Sequence, residues 1–148
     1  MNNNPRNNLV FSTAELEQFS DNTLLEVMPE KVDADVATKY VLIKHDYYSA
    51  DSDHGRELLA GFLTNLADSS YKSIVIYLID TGVKLLDEEN HLYDKMLRLI
   101  EKSETVIVTE ESIELYNVKF SKTQKISIES IMSVTEDISY LNNLLTLE

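Results

Sequence analysis

Several side chains that can carry chemistry follow short apolar runs of the sequence. His45 and Asp46 follow the run YVLIK, and Asp80 and Thr81 follow the run SIVIYLI. An imidazole beside carboxylates can shuttle protons or bind a metal ion. One functional hypothesis is therefore a cysteine-independent small-molecule or metal-assisted enzyme that uses His45, Asp46 and Asp80. The competing interpretation gives His45 a structural role.

The stretch DTGVK places Gly82 just after the second apolar run and Lys84 two residues later. A glycine at the end of a strand usually allows a positive φ or a close approach of the backbone. Backbone amides of such a turn, together with the ammonium of Lys84, can hold a small anion. The alternative is a plain turn from strand to helix with a solvated lysine. The turn is not a P-loop, and no G-x-G-x-x-G occurs in the chain.

The apolar runs predict the strands that would position these residues. YVLIKH, KSIVIYLI and TVIV indicate buried strands, and QKISI and NLLTL indicate two shorter ones. A helix is predicted after the first strand by one apolar stripe: Leu58, Leu59, Phe62, Leu63, Leu66 and Ala67. A second helix is predicted from an Asp87 cap, with an apolar face of Leu92, Met96, Leu99 and Ile100.

Two further helices complete the alternation of strands and helices. EESIELYNV predicts a short helix that ends near Asn117, a residue that tolerates the left-handed conformation. Ser127 is predicted to cap a last helix, whose apolar residues are Ile128, Ile131, Met132 and Ile138. Such alternation implies a parallel sheet with helices on both faces. The predicted fold is α/β, with three α/β/α layers and a mostly parallel sheet of about five strands.

This fold class predicts where the chemistry-bearing residues lie. Ligands of open parallel sheets bind outside the carboxyl ends of the strands. His45, Asp80 and Thr109 follow or close three predicted strands, so they should lie along one edge. The α/β domain is predicted to span residues 40–148. Residues 1–39 are predicted to form an N-terminal arm, partly disordered and with a short helix at about 13–19.

Composition excludes several classes of partner and site. The 148 residues include 26 acidic and 13 basic side chains, for a net charge of −13. This charge disfavours nucleic acids and anionic membranes as partners. The chain has no cysteine, and therefore no disulfide, thiolate metal site or thiol nucleophile. No cofactor is predicted, and the N-terminus lacks the features of a signal peptide, so the expected location is the cytoplasm.

About residues 40–140 resemble the DsrE-like domain of the YedF group, described as sulfurtransferase-like selenium-metabolism proteins. The most specific part is the strand exit Thr81, Gly82, Val83, Lys84 and Leu85. A Gly-Arg-x-Leu-Leu helix with a Phe-Leu pair precedes it, matched here by Gly55, Arg56, Leu58 or Leu59, Phe62 and Leu63. The resemblance implies a DsrE-like fold, a homo-oligomer (dimer or trimer) and a protein partner in sulfur or selenium handling.

The chain departs from this family after the third predicted strand. The family commonly carries a pattern like Cys-Gly-Thr-Cys-Leu-Asp-Tyr-Tyr-Gly, whereas this sequence reads TEESIELYN. The two cysteines therefore correspond to Thr109 and Ser112, and one tyrosine remains as Tyr116. A hydroxyl cannot carry sulfane sulfur as a persulfide, so this chain alone cannot perform thiol-based sulfur transfer. The preferred hypothesis is a DsrE-like domain that works as a non-catalytic binding or assembly module.

Overall fold

The computed structural model describes residues 38–148. The five strands are β1 (Thr38–Ile43), β2 (Ser73–Leu78), β3 (Thr105–Thr109), β4 (Ile126–Glu129) and β5 (Leu144–Leu147). The four α-helices are α1 (Asp53–Ala67), α2 (Tyr93–Lys102), α3 (Glu110–Tyr116) and α4 (Ile131–Ser139). A 3₁₀ helix, Asp80–Leu86, lies between β2 and α2. The predicted arm and its short helix fall outside the described residues, apart from the start of β1.

All five strands are parallel and lie in the order β4-β3-β2-β1-β5. Parallel strands need a long crossover connection, and each crossover here contains a helix. The two outermost strands of this sheet, β4 and β5, have four residues each. The predicted α/β class and the parallel sheet of five strands are confirmed.

The two faces of the sheet pack against different helices. On one face, strand residues such as Val41, Ile76 and Val108 pack with α1, α2 and the 3₁₀ helix, where Leu59, Met96 and Val83 are fully buried. On the other face, Leu42, Val75, Tyr77 and Ile107 pack with Val134 of α4. This division gives the three layers, since successive residues of a strand point to opposite faces.

The second helix starts later than predicted. Asp87 does not cap α2, which begins at Tyr93. Asp87 Oδ1 instead accepts the backbone N–H of Glu89 at 2.9 Å, and Asn90 Oδ1 accepts that of Leu92 at 2.8 Å. Asp and Asn favour such local turns over helix. The chain therefore passes through two turns between the 3₁₀ helix and α2.

The last helix is also shifted from the prediction. Ser127 lies within β4, and the residue that caps α4 is Ser130, whose hydroxyl accepts the N–H of Ser133. The only buried residue of α4 is Val134, whereas Ile131 and Met132 are exposed. In α1, Leu58 of the predicted stripe is likewise exposed. None of the helices between residues 38 and 148 is long and apolar enough to cross a membrane.

Candidate functional site

Three strand ends bring the candidate residues to one edge of the sheet. β1, β2 and β3 are adjacent and parallel, so their carboxyl ends lie side by side. His45 lies two residues after β1, Asp80 lies two residues after β2, and Thr109 is the last residue of β3. The 3₁₀ helix that follows β2 adds Thr81 to this edge, and α3, which follows β3, adds Ser112 and Tyr116. We call His45, Asp80, Thr81, Ser112 and Tyr116 the strand-end cluster.

His45 is held by contacts on one nitrogen and on its ring face. Its Nδ1 lies 2.9 Å from Thr81 Oγ1 and 3.7 Å from Asp80 Oδ2. Its ring stacks on Tyr47, with centroids 4.8 Å apart and planes 1° from parallel. A hydroxyl–imidazole–carboxylate relay needs the hydroxyl on one ring nitrogen and the carboxylate on the other. Here both oxygens lie at Nδ1, so His45, Thr81 and Asp80 do not form such a relay.

Asp80 is the residue on which most contacts of the cluster converge. Its backbone N–H donates to Ser112 Oγ at 3.0 Å, and its Oδ1 accepts the hydroxyl of Tyr116 at 2.6 Å. Its φ is 49°, which is uncommon for a residue other than glycine, although Asp is among those that tolerate it. Contacts from α3 therefore hold the exit of β2 in a left-handed conformation.

Gly82 serves a close approach of the backbone, one of the two roles that the sequence suggested for it, and does not have a positive φ. No glycine among the described residues has a positive φ. The reason for glycine is the close approach of two chain segments, because a Cβ at Gly82 would lie 2.4 Å from the carbonyl oxygen of Ile43. Its N–H donates to Ile79 O at 2.8 Å and to Lys44 O at 3.2 Å. The 3₁₀ helix thus packs its backbone directly on the exit of β1.

Thr109 and Ser112, which the resemblance aligns with two cysteines, carry hydroxyls that are hydrogen-bonded to each other. Thr109 is 1% exposed, and its hydroxyl donates to Ser112 Oγ at 2.7 Å. Ser112 Oγ also accepts the N–H of Asp80. The side-chain hydrogen bonds of these residues join β3 and α3 to the exit of β2. The contacts of Ser112 are thus to a backbone amide and another hydroxyl, neither of which is a general base.

Tyr116 belongs to the cluster, although spacing alone did not assign it there. It lies one helical turn after Ser112, on the same face of α3. The hydrogen bond to Asp80 raises the pKa of Tyr116 above its usual range. Lys84 Nζ lies 4.8 Å from the centroid of the Tyr116 ring, a cation–π distance. Lys84, Asn90, Tyr116 and Val118 line an open cleft of about 240 Å³.

Asp46 lies apart from the contacts of His45 and Asp80. Its Oδ2 accepts Asn90 Nδ2 at 3.1 Å, which ties the exit of β1 to the turn before α2. The hypothesis of a metal site built on His45, Asp46 and Asp80 therefore gains no support from this arrangement. Within residues 38–148, no three His, Asp or Glu side chains are grouped so that they could hold a metal ion.

Comparisons with known proteins bear on the fold. No family model and no curated protein matches the chain. Among solved structures, it is similar to a conserved protein of unknown function, BT1422 from Bacteroides thetaiotaomicron, with a TM-score of 0.50 and 17% identity. That match covers 74% of this chain and 95% of BT1422. The ychN protein from E. coli matches with a TM-score of 0.49 and 12% identity, over 75% of this chain and all of that one.

The similarity to BT1422 covers nearly all of that protein. Because the sequences are only 17% identical, the similarity shows the fold alone. The parallel sheet and its helices agree with the fold that the resemblance implies. The chain has a DsrE-like α/β fold.

Proposed function

We propose that this chain is a DsrE-like domain of the YedF type that acts by binding and assembly, and that it carries out no chemistry at the strand-end cluster. The observation that carries the proposal is the bonding of Ser112. Its Oγ accepts hydrogen bonds from the Asp80 amide and the Thr109 hydroxyl. A serine nucleophile needs an adjacent base, and His45 turns its Nδ1 to Thr81 instead.

The same contacts give the two hydroxyls a structural role. In the family's pattern, cysteines stand at these positions. In this chain, the hydroxyls of Thr109 and Ser112 are hydrogen-bonded, and Ser112 also accepts the N–H of Asp80. These bonds connect α3 to the left-handed exit of β2. The replacement keeps small polar side chains that hydrogen-bond well and removes the only atoms able to hold sulfane sulfur. A partner in sulfur or selenium handling and a cytoplasmic location remain part of the proposal, on the strength of the resemblance.

Sulfur loading tests the absence of chemistry. The native chain is incubated with a cysteine desulfurase and cysteine, and its intact mass is measured before and after a reductant. We expect no added sulfur, because the chain has no cysteine. Ser112→Cys is the matched control, since a partly exposed thiol at this position should accept sulfur that the reductant removes. A reductant-labile adduct on the native chain would overturn the proposal.

A further inference from the structure

Lysines lie at the amino ends of the strands, opposite the strand-end cluster. Lys39 is the second residue of β1, Lys72 directly precedes β2, and Lys125 directly precedes β4. Lys102 is the last residue of α2, which leads into β3. Because all five strands are parallel, their amino ends lie along one edge of the sheet. We call Lys39, Lys72, Lys102, Lys122 and Lys125 the amino-edge lysines.

Contacts with the loop before β2 connect the lysines of the first three strands. Lys102 Nζ donates to the carbonyl oxygen of Ser69. Lys39 Nζ lies 5.7 Å from the centroid of the Tyr71 ring. Both side chains therefore meet the loop of residues 68–72, whose last residue is itself one of the amino-edge lysines.

Contacts with the end of α2 bring the segment before β4 to the same surface. Lys125 Nζ donates to the carbonyl oxygens of Ile100 at 3.2 Å and Glu101 at 2.6 Å. Both carbonyls belong to the last turn of α2, as does Lys102. Lys122 lies three residues before Lys125 and is exposed. The five lysines therefore line one continuous edge, from β1 to β4.

The segments at this edge have an excess of positive charge, unlike the chain as a whole. Residues 68–72, 98–104 and 122–125 contain five basic and three acidic residues, and the lysine of β1 adds a sixth positive charge. The connections that follow β1 and β2, residues 44–52 and 79–92, contain two lysines and six acidic residues. The segments at the two edges of the sheet therefore carry opposite net charge.

The positive charges of the edge are not neutralised by neighbouring carboxylates. Asp68 forms an ion pair with Arg98, and Glu104 accepts a hydrogen bond from a serine hydroxyl of β2. Among residues 38–148, none of the five amino-edge lysines forms an ion pair. Lys119 is not counted with them, because it lines a cleft with the acidic turn that precedes α2.

The two edges act separately at physiological ionic strength. The Debye length is then about 8 Å, whereas a strand of six residues, such as β1, is about 20 Å long. The acidic edge is therefore largely screened from a partner that lies on the lysines. The amino edge attracts negative charge although the whole chain has a net charge of −13.

The size and place of the positive charge indicate the class of partner. Tight binding of nucleic acid uses about six to ten phosphate contacts, more than this edge supplies. An anionic membrane is a plane that the acidic remainder of the chain would also approach. A second copy has an acidic edge of its own, but complementary surfaces at opposite ends of a molecule produce an open row of copies and not a dimer or trimer. An acidic segment of another protein fits, because it carries a few negative charges along an extended length.

We propose that the amino-edge lysines form a docking surface for an acidic segment of another protein. The inference rests on the proposed binding function and names the chemistry of its partner. Carbonyl oxygens fix the ammonium groups of Lys102 and Lys125, and an ammonium has three donors, so each keeps a donor for a carboxylate. Lys72 and Lys122 are exposed and add charge on either side of these two.

A glutamate-rich peptide tests the surface. Its binding to the full chain is measured by fluorescence anisotropy of a label on the peptide, at physiological salt. The control peptide has glutamine in place of every glutamate. We expect the acidic peptide to bind about tenfold more tightly than the control. We also expect its affinity to fall as salt rises further, since salt screens the charges of exposed side chains.

Charge reversals locate the binding site. Lys72→Glu and Lys122→Glu alter exposed side chains outside the helices and strands, so the fold should stay intact. Each should weaken the acidic peptide about fivefold, because the attraction of an exposed pair becomes a repulsion of similar size. The matched control is Lys95→Glu, which changes the net charge equally. Lys95 is also exposed, but it lines a cleft with Asp53 near the start of α2, so this variant should bind as the native chain does.

The inference fails if the acidic peptide binds no better than its glutamine control, or if Lys95→Glu weakens binding as much as Lys72→Glu and Lys122→Glu do. It fails if a single-stranded oligonucleotide of the same charge binds more tightly than the peptide, since the partner would then be a nucleic acid. It also fails if either reversal lowers the mass of the native assembly in light scattering, since the occupant would then be a second copy. None of these results changes the sulfur-loading outcome, so the proposed function is judged separately.

Discussion

At the scale of single residues, the strand-end cluster is organised around Asp80. Its backbone amide and its carboxylate bind Ser112 and Tyr116, which lie 32 and 36 residues later in the chain. The sequence predicted that the strand ends lie together, because the apolar runs and their order define a parallel sheet. It did not predict the left-handed Asp80, since glycine is the usual residue there and Gly82 is two residues away. Hydrogen bonds between residues so far apart in the chain follow no sequence spacing from which they could be predicted.

The pKa of Tyr116 tests the hydrogen bond between Tyr116 and Asp80. Its phenol donates to Asp80 Oδ1, and this bond holds the pKa of Tyr116 above the ordinary value for tyrosine, about 10. A raised pKa in the folded state gives a contribution to stability that is present below the unfolded pKa. That contribution is lost as the pH rises through the folded pKa. We expect Asp80→Asn to lower the pKa of Tyr116, because the charge that opposes the phenolate is removed.

The titration is measured by NMR of chains with labelled tyrosine rings, and Asn is chosen because it tolerates the positive φ of residue 80. Tyr116→Phe identifies the signal. An unchanged Tyr116 titration in Asp80→Asn would mean that the hydrogen bond does not set this pKa.

At the scale of elements, the 3₁₀ helix is the feature that distinguishes the strand exit from a simple strand-to-helix turn. It brings its backbone onto the exit of β1, where Gly82 donates to Lys44 O. The sequence indicated the turn and the importance of Gly82, and a close approach of the backbone was one of its two explanations. It misplaced the following helix because apolar spacing extends back to Leu92, whereas the Asp87 and Asn90 side chains favour turns.

Substitution of glycines tests this close approach. A Cβ at Gly82 would meet a backbone carbonyl oxygen at 2.4 Å, so Gly82→Ala should destabilise the domain by about 1–3 kcal/mol, the usual cost of overpacking. Gly61, within α1, is the matched control, because a Cβ there meets nothing within 4 Å. Gly61→Ala should stabilise the domain by about 0.5–1 kcal/mol. Urea unfolding measures both, and equal stabilities for native and Gly82→Ala chains would contradict the account.

At the scale of the whole molecule, two adjacent tyrosines and the apolar segment near the C-terminus make their contacts within the domain. Tyr47 stacks on His45, and Tyr48 packs on Phe62 with ring centroids 4.8 Å apart. The apolar segment near the C-terminus forms β5 and pairs with β1. The homo-oligomer therefore stays a prediction based on the resemblance.

Light scattering coupled to size exclusion, at low and physiological salt, tests most directly that this chain works by assembly and binding. We predict a dimer or trimer whose mass does not fall as salt rises. Each chain carries a net charge of −13, so salt screens the repulsion between copies and leaves the apolar contact between them. A monomer of 16.9 kDa at high micromolar concentration in both salts would contradict the account.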